Sequence, residues 1–175
     1  MEDKTEQFSK IYDEHLPPIY RFIYLKVNTR ETAEDLVSDV FLRVWNELNK
    51  TEQDIQNIRA FLYGIARNVV ADHYRGRKLE VVSVEETFDL MDSFSLHDQI
   101  ALSSDIEQIL RALSGINDDY QDLIIWRYVE ELSVQEIAQL TGKTEENVRV
   151  GIHRAIKNLR EQIPAGVIKR GVLTT

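Results

Sequence analysis

LSVQEIAQLTGKTEENVRVGIHRAIKNLREQ, residues 132–162, carries two helix starts and a sharp turn at one particular spacing. Ser133 followed three residues later by Glu136 is a capping box, in which each side chain satisfies an orphan backbone donor at a helix start. Val134, Ile137, Ala138 and Leu140 give that short helix one buried face, and Gly142 after Thr141 stands where a left-handed C-terminal cap belongs. Thr144 caps a second, longer helix, with Glu145 and Glu146 placed against the positive end of its dipole. That helix runs to about Gln162. Val148, Ile152, Ala155, Ile156 and Leu159 form its inner face, while Arg149, His153, Arg154, Lys157 and Arg160 share the outer one. A short helix, a tight glycine turn and a longer cationic helix make a helix-turn-helix, whose second helix suits a DNA major groove. An ordinary helical hairpin shares this outline.

The 175 residues suffice for one domain or two small ones, and a hydrophobic content of 43% is ordinary for globular protein. No apolar run approaches the roughly 20 residues that span a bilayer, and Met1–Lys10 is too polar for a signal peptide, so the expected location is the cytoplasm. With no cysteine, disulfides and thiolate metal sites are excluded. The net charge of -9 is awkward for a chain that binds DNA alone, because nonspecific affinity comes from cations displacing counterions at phosphates. Its distribution matters more. Residues 1–78 hold 12 Lys/Arg and 13 Asp/Glu, and residues 111–175 hold 9 of each; residues 79–110 hold eight acids and no Lys or Arg.

Working back to the N-terminus, Phe8, Ile11, Tyr12 and Leu16, then Ile19, Phe22 and Ile23, recur at helical spacing across Pro17 and Pro18. Proline is tolerated in a first turn but not mid-helix, which predicts one helix ending near His15 and a second starting at the prolines, with His15 a boundary residue. Thr29 is placed to cap the next helix, with Glu31, Glu34 and Asp35 in its first turns. Leu36, Val37, Val40, Phe41, Val44, Trp45 and Leu48 make its wide buried stripe, and Asp35, Ser38, Asp39 and Arg43 share the other face. Residues 49–57 are polar and read as a loop. A helix then starts near Ile58, with Phe61, Leu62, Ile65, Ala66 and Val69 inward and Arg59, Tyr63, Arg67, Asn68, Tyr74, Arg75, Arg77 and Lys78 outward. Cations interleaved with aromatics suit single-stranded nucleic acid, charge for the backbone and flat faces for unstacked bases; Tyr63 and Tyr74 fit boundary packing equally.

Residues 79–102 mix acids with apolar residues without a regular period and read as an acidic flexible linker. Ile106, Ile109, Leu110 and Leu113 make the inner face of a helix over Ser104–Leu113, closed by Gly115; Asp118–Val129 follows with Tyr120, Leu123, Ile124 and Tyr128 buried. After Pro164 the tail has no pattern and is expected to be mobile. The fold class is therefore all-α: two small helical domains joined by an acidic linker, the C-terminal one a four-helix helix-turn-helix domain. The expected boundaries are 1–78, 79–102, 103–163 and 164–175.

AEDLVSDVFLRVW (33–45), IRAFLYGIARNVVADHYRGRK (58–78), an acidic linker and SVQEIAQLTGKTEENVRVGIHRAIKNLR (133–160), in this order, resemble the two-domain ECF (extracytoplasmic-function) sigma factors of bacteria. The resemblance covers about residues 6–162. It implies a subunit that binds core RNA polymerase, directs it to promoter DNA and helps open the duplex, using no cofactor, metal or small-molecule substrate. The helix at 33–48 matches the element that docks on the clamp helices of the largest polymerase subunit, which assigns core binding to Asp35, Ser38, Asp39, Leu42 and Arg43. Glutamine is commoner in the family where Ser38 stands. The first domain matches region 2, and its loop and helix at 50–78 match the reader of the minus-10 element, which assigns that contact to Arg59, Tyr63, Arg67, Asn68, Arg75, Arg77 and Lys78. Asn68 matches the polar residue for a flipped base, and the cations are suited to phosphates, which position a strand without specifying it.

The last domain matches region 4, which meets the polymerase flap and reads the minus-35 element, here through Lys143, Thr144, Arg149, Val150, His153, Arg154 and Lys157. Gly151 departs from the pattern, where a basic residue is frequent; it allows a closer approach to the DNA backbone or marks weak affinity. The linker matches the segment that threads through the polymerase toward the active-site cleft and RNA exit path, with Phe88, Leu90, Met91, Phe94 and Leu96 as apolar anchors. The family is often held inactive by an anti-sigma factor. A conventional helix-turn-helix regulator binding duplex DNA as a dimer accounts for 133–160 but leaves both N-terminal blocks unexplained. An enzyme is not expected: His15, His73, His97 and His153 share no ligand spacing, Asp72-His73 is a lone pair, and no phosphate-cradling loop or nucleophile arrangement occurs.

Overall fold

Asp3 opens the first helix, α1 (Lys4–Val27), by accepting a hydrogen bond from the Thr5 N–H, and Asn28 closes it in the left-handed conformation, φ 56°, donating its N–H to the Tyr24 carbonyl. This is a computed structural model, which describes residues 3–52, 54–77 and 104–163. Every regular element among them is helical: seven α-helices and one π segment. The expected linker at 79–102, its apolar anchors, Lys78 and the tail at 164–175 lie outside the described residues. Contacts divide the chain into two units, Met1–Leu90 and Met91–Thr175.

The predicted break at the prolines does not occur. α1 runs unbroken through Pro17 and Pro18. The two bonds lost would have ended on the Asp13 and Glu14 carbonyls, which lie on exposed residues where water replaces them. On the other face Ile19, Phe22, Ile23 and Val27 are buried and Phe8 and Tyr12 lean on Phe41 and Trp45, so packing on both sides of the prolines holds one axis. His15 is consequently no boundary residue: it is 6% exposed.

α2 (Arg30–Lys50) packs along α1 and buries Ala33, Val37, Val40, Phe41, Val44 and Leu48, matching the predicted stripe with Leu36 and Trp45 at its margins. It takes in Asn49 and Lys50, which were expected in the loop. Thr29 has N-cap geometry, yet its hydroxyl makes no capping bond; Oγ1 is buried without a partner. α3 (Ile58–Arg77) starts at Asn57, whose side chain accepts from the Ala60 N–H. It lies against both α1 and α2, so it buries a broader arc than its sequence stripe, Leu62, Tyr63, Ala66, Val69 and Val70.

The second unit consists of α4 (Ser104–Ser114), α5 (Asp118–Ile124), α6 (Val134–Thr141) and α7 (Glu145–Gln162). Asn117 caps α5 by accepting from the Asp119 N–H. The expected helix 118–129 changes character halfway: Ile125–Val129 is a π turn, closed by the Glu130 N–H on the Ile125 carbonyl at 2.9 Å, with Glu131 at φ 54°. The wider turn rotates the register. Ile125 and Trp126 go into the core, and Tyr128, predicted to be buried, is 44% exposed. Ile137, Val148, Ala155 and Leu159 complete this core.

Candidate nucleic-acid and partner interfaces

On α2, the residues opposite the buried stripe lie at the surface. Asp35, Ser38 and Arg43 are exposed, Asp39 is half-buried, and Leu42 stands 57% exposed among them. Asp39 and Arg43, one turn apart, form a fork: Nε donates to Oδ1 at 3.1 Å and Nη2 to Oδ2 at 2.9 Å. Ser38 folds back on its own helix, its Oγ donating to the Glu34 carbonyl at 2.9 Å, which leaves a short spot between the two acids.

α3 separates the residues that its sequence groups together. Arg67 and Asn68 are exposed, Arg59 is half-exposed, and Arg75 is exposed and bound to Asp72 at 2.6 Å. Tyr63 corrects the expectation. It is 3% exposed and meets Phe22 edge to face, because α1 covers the side of α3 on which it stands, so its ring is closed to a nucleic-acid base. Tyr74 stays at the surface and donates its hydroxyl to the Lys26 carbonyl, tying the ends of α1 and α3 together. The side chain of Arg77 lies outside the described residues, as does Lys78.

The helix-turn-helix has the geometry its sequence predicts. The Ser133 N–H donates to Glu136 Oε2 at 2.7 Å and the Glu136 N–H to Ser133 Oγ at 3.1 Å, and Gly142 takes φ 67° at the turn. Thr144 caps α7 by accepting from the Asn147 N–H at 3.2 Å. Lys143, Thr144, Arg149, Val150, His153, Arg154 and Lys157 are all exposed, Val150 to 42%. Arg149 is held by Glu145 one turn back at 3.1 Å. Gly151 has a different neighbour from the one expected. A Cβ built there would come within 2.9 Å of Leu123 Cδ1, so the missing side chain makes room for α5.

The sequence sets Asp72 beside His73 as a lone pair and gives it no place on any of these surfaces. Its spacing to Arg75 is visible in the chain, but its approach to Arg43 of α2, Oδ2 to Nη1 at 4.0 Å, is not.

These three surfaces sit in segments that match two family models, Sigma-70 region 2 over residues 11–80 and Sigma-70, region 4 over residues 106–159. The chain is 31% identical over 163 residues to the ECF RNA polymerase sigma factor BldN of Streptomyces coelicolor, and 29% identical over 164 residues to SigX of Bacillus subtilis. The chain belongs to the ECF sigma factor family. The alignments cover 92% and 90% of this sigma factor, but 62% of the Streptomyces relative and 84% of the Bacillus one. A solved sigma factor RpoE from Bartonella quintana, in complex with the anti-sigma factor NepR, matches with a TM-score of 0.65 and 25% identity over 90% of this chain and 96% of that one. CnrH, solved with the cytosolic domain of CnrY, shares the fold at a TM-score of 0.63 and 18% identity. Sigma factors are DNA-binding transcription initiation factors. The region 2 match covers both N-terminal blocks, 33–45 and 58–78, that a dimeric regulator leaves unexplained. No helix among the described residues is long and apolar enough to cross a membrane.

Proposed function

We propose that this ECF sigma factor works in the cytoplasm by binding core RNA polymerase and directing it to promoters through separate minus-10 and minus-35 contacts. The observation that carries the reading is the pairing, in one chain, of a region 2 match bearing an exposed acidic-apolar helix face with a region 4 match bearing a capped helix-turn-helix. Residues 1–78 form the docking and minus-10 domain, 79–102 the linker, 103–163 the minus-35 domain, and 164–175 a tail.

Asp35, Ser38, Asp39, Leu42 and Arg43 meet the clamp helices of the polymerase. Leu42 supplies apolar contact, and the acids select a cationic partner and speed encounter. On α3, Arg59, Arg67, Arg75, Arg77 and Lys78 hold phosphates while Asn68 takes an extruded base. On α7 and the turn before it, Arg149, Val150, His153 and Arg154 face base edges, and Lys143, Thr144 and Lys157 the backbone of the minus-35 duplex, with the flap as this domain's polymerase partner. Arg and His supply hydrogen bonds to bases and Val150 an apolar contact of the kind made with a thymine methyl. The free chain, at net charge -9, binds DNA weakly. Docking sets the spacing of the two domains and turns two weak contacts into one site through effective concentration. RpoE was solved in complex with the anti-sigma factor NepR, and an anti-sigma protein is the corresponding regulator here.

Co-elution of the purified chain with bacterial core polymerase on a sizing column, beside Asp39→Lys, followed by transcription from a promoter library, tests this. Co-elution lost in the variant, with a promoter motif recovered by the wild type, is the expected result. Dimeric binding to a duplex without polymerase would overturn it.

A further inference from the structure

The docking face of α2 and the cationic end of α3 are joined by a run of alternating charges. Arg43 forks onto Asp39, and its remaining terminal nitrogen, Nη1, stands 4.0 Å from Asp72 Oδ2 on α3. Through its other oxygen Asp72 binds Arg75 Nη2 at 2.6 Å. The order is Asp39, Arg43, Asp72, Arg75. The first two belong to the surface assigned to polymerase and the last to the surface assigned to promoter DNA, while Asp72 has been given no part in either.

We infer that Asp72 is a positioning residue that holds Arg75 off nucleic-acid phosphates in the free chain and yields it when a cationic partner surface takes up Asp39. This rests on the proposed docking and minus-10 surfaces. Asp72 and a phosphate oxygen are rival acceptors for one guanidinium, and a short charge-assisted bond to Asp72 must be given up before Arg75 can serve a strand. All four side chains reach solvent, Asp39 and Arg43 in part and Asp72 and Arg75 for more than half their surface, and pairs so exposed are weak and exchange partners readily. The exchange also has a direction. Once a partner's cation engages Asp39, Arg43 loses its fork, and Asp72 is the carboxylate already beside it on the neighbouring helix. Two cations then share Asp72, and Arg75 is held less firmly at the moment a promoter strand becomes available. An ordinary i,i+3 surface pair between Asp72 and Arg75 would lack the crossing to Arg43, and it is that crossing which connects the two faces.

The test uses the intact chain, free and assembled with core polymerase. The probe is a fluorescent single strand spanning the minus-10 segment of a promoter recovered from the library. Asp72→Asn keeps the shape of the side chain and removes its charge. In the free chain it is expected to raise affinity by about three- to fivefold, the size of releasing one exposed ion pair. The slope of log affinity against log salt should steepen by about 0.7, one added phosphate contact on a single strand. A side chain with a merely structural role would not move that slope. The double variant Asp72→Asn/Arg75→Gln should lose the gain. In the holoenzyme Asp72→Asn should change affinity by less than about twofold, because docking has already moved Arg43. No gain in the free chain, a gain that survives Arg75→Gln, or an equal gain free and docked would each overturn the inference. Arg75→Gln alone, tested in the holoenzyme, checks the underlying reading. If it leaves strand binding unchanged, Arg75 is not a minus-10 contact and the inference falls with that assignment.

Discussion

At position 151 a hydrogen stands where most helices carry a side chain, and the reason is a leucine from another helix. Leu123 Cδ1 occupies the space a Cβ would need. Glycine in a helix interior costs about 1 kcal/mol relative to alanine, so close approach of α5 offsets a known penalty. Gly151→Val is expected to lower stability by about 1–3 kcal/mol through overpacking, read as a lower urea midpoint by circular dichroism. Unchanged stability with tighter promoter binding would return Gly151 to the DNA face. His15 gives the second residue-scale prediction. Burial pulls its imidazole below the ordinary value, Arg59 acts in the same sense, and Glu14, 3.9 Å away, opposes them. The unfolded chain therefore takes the proton first as pH falls, and stability drops below about pH 6.5 as the unfolded state binds it. The fall in urea midpoint between about pH 7.5 and about pH 5.5 should be smaller in His15→Asn than in the wild type. Neither residue's neighbours can be found from periodicity. Leu123 is 28 positions from Gly151, and Arg59 is 44 from His15.

Three helix ends were legible because one turn of chain contains the whole device, whereas Thr29, placed just as locally, makes no capping bond. The capping box at Ser133 and Glu136, the left-handed Gly142 and the Thr144 cap each need only residues within a few positions, and all three form. Ser133→Ala is expected to destabilise the second unit by about 1 kcal/mol. Local preference loses where packing overrides it. Pro17 and Pro18 predict a break, but the buried residues on both sides of them share one packed face, and α1 continues. Pro18→Ala restores a donor to the Glu14 carbonyl, and the gain net of a looser unfolded chain is about 1–2 kcal/mol. A loss of stability would mean that the proline ring itself is needed. The π turn at Ile125–Val129 is a similar case: the chain carries no local signal for the extra residue, and the turn exists because it brings both Ile125 and Trp126 into the core.

Across the whole chain, the charge is distributed so that each helical half is near neutral and the acids concentrate between them, eight in residues 79–110 without a cation. The contact division into Met1–Leu90 and Met91–Thr175 leads to a calorimetric prediction. Pro18→Ala should move one unfolding transition and Ser133→Ala another; a single transition shifted by both would mean that the two units fold as one. The all-helical class, the faces of α2 and α7 and the helix-turn-helix were determined by the sequence alone, since a 3.6-residue period reports burial directly and caps are local. The exposed faces of α2 and α7 could be read for the same reason: they are the complement of a buried stripe. Tertiary structure alone decided that Tyr63 is buried against Phe22, that Gly151 receives Leu123, that α1 passes through its prolines, and that Arg43 reaches Asp72. Each of these turns on which atoms another helix brings near, and one helix's spacing contains no information about its neighbour's position.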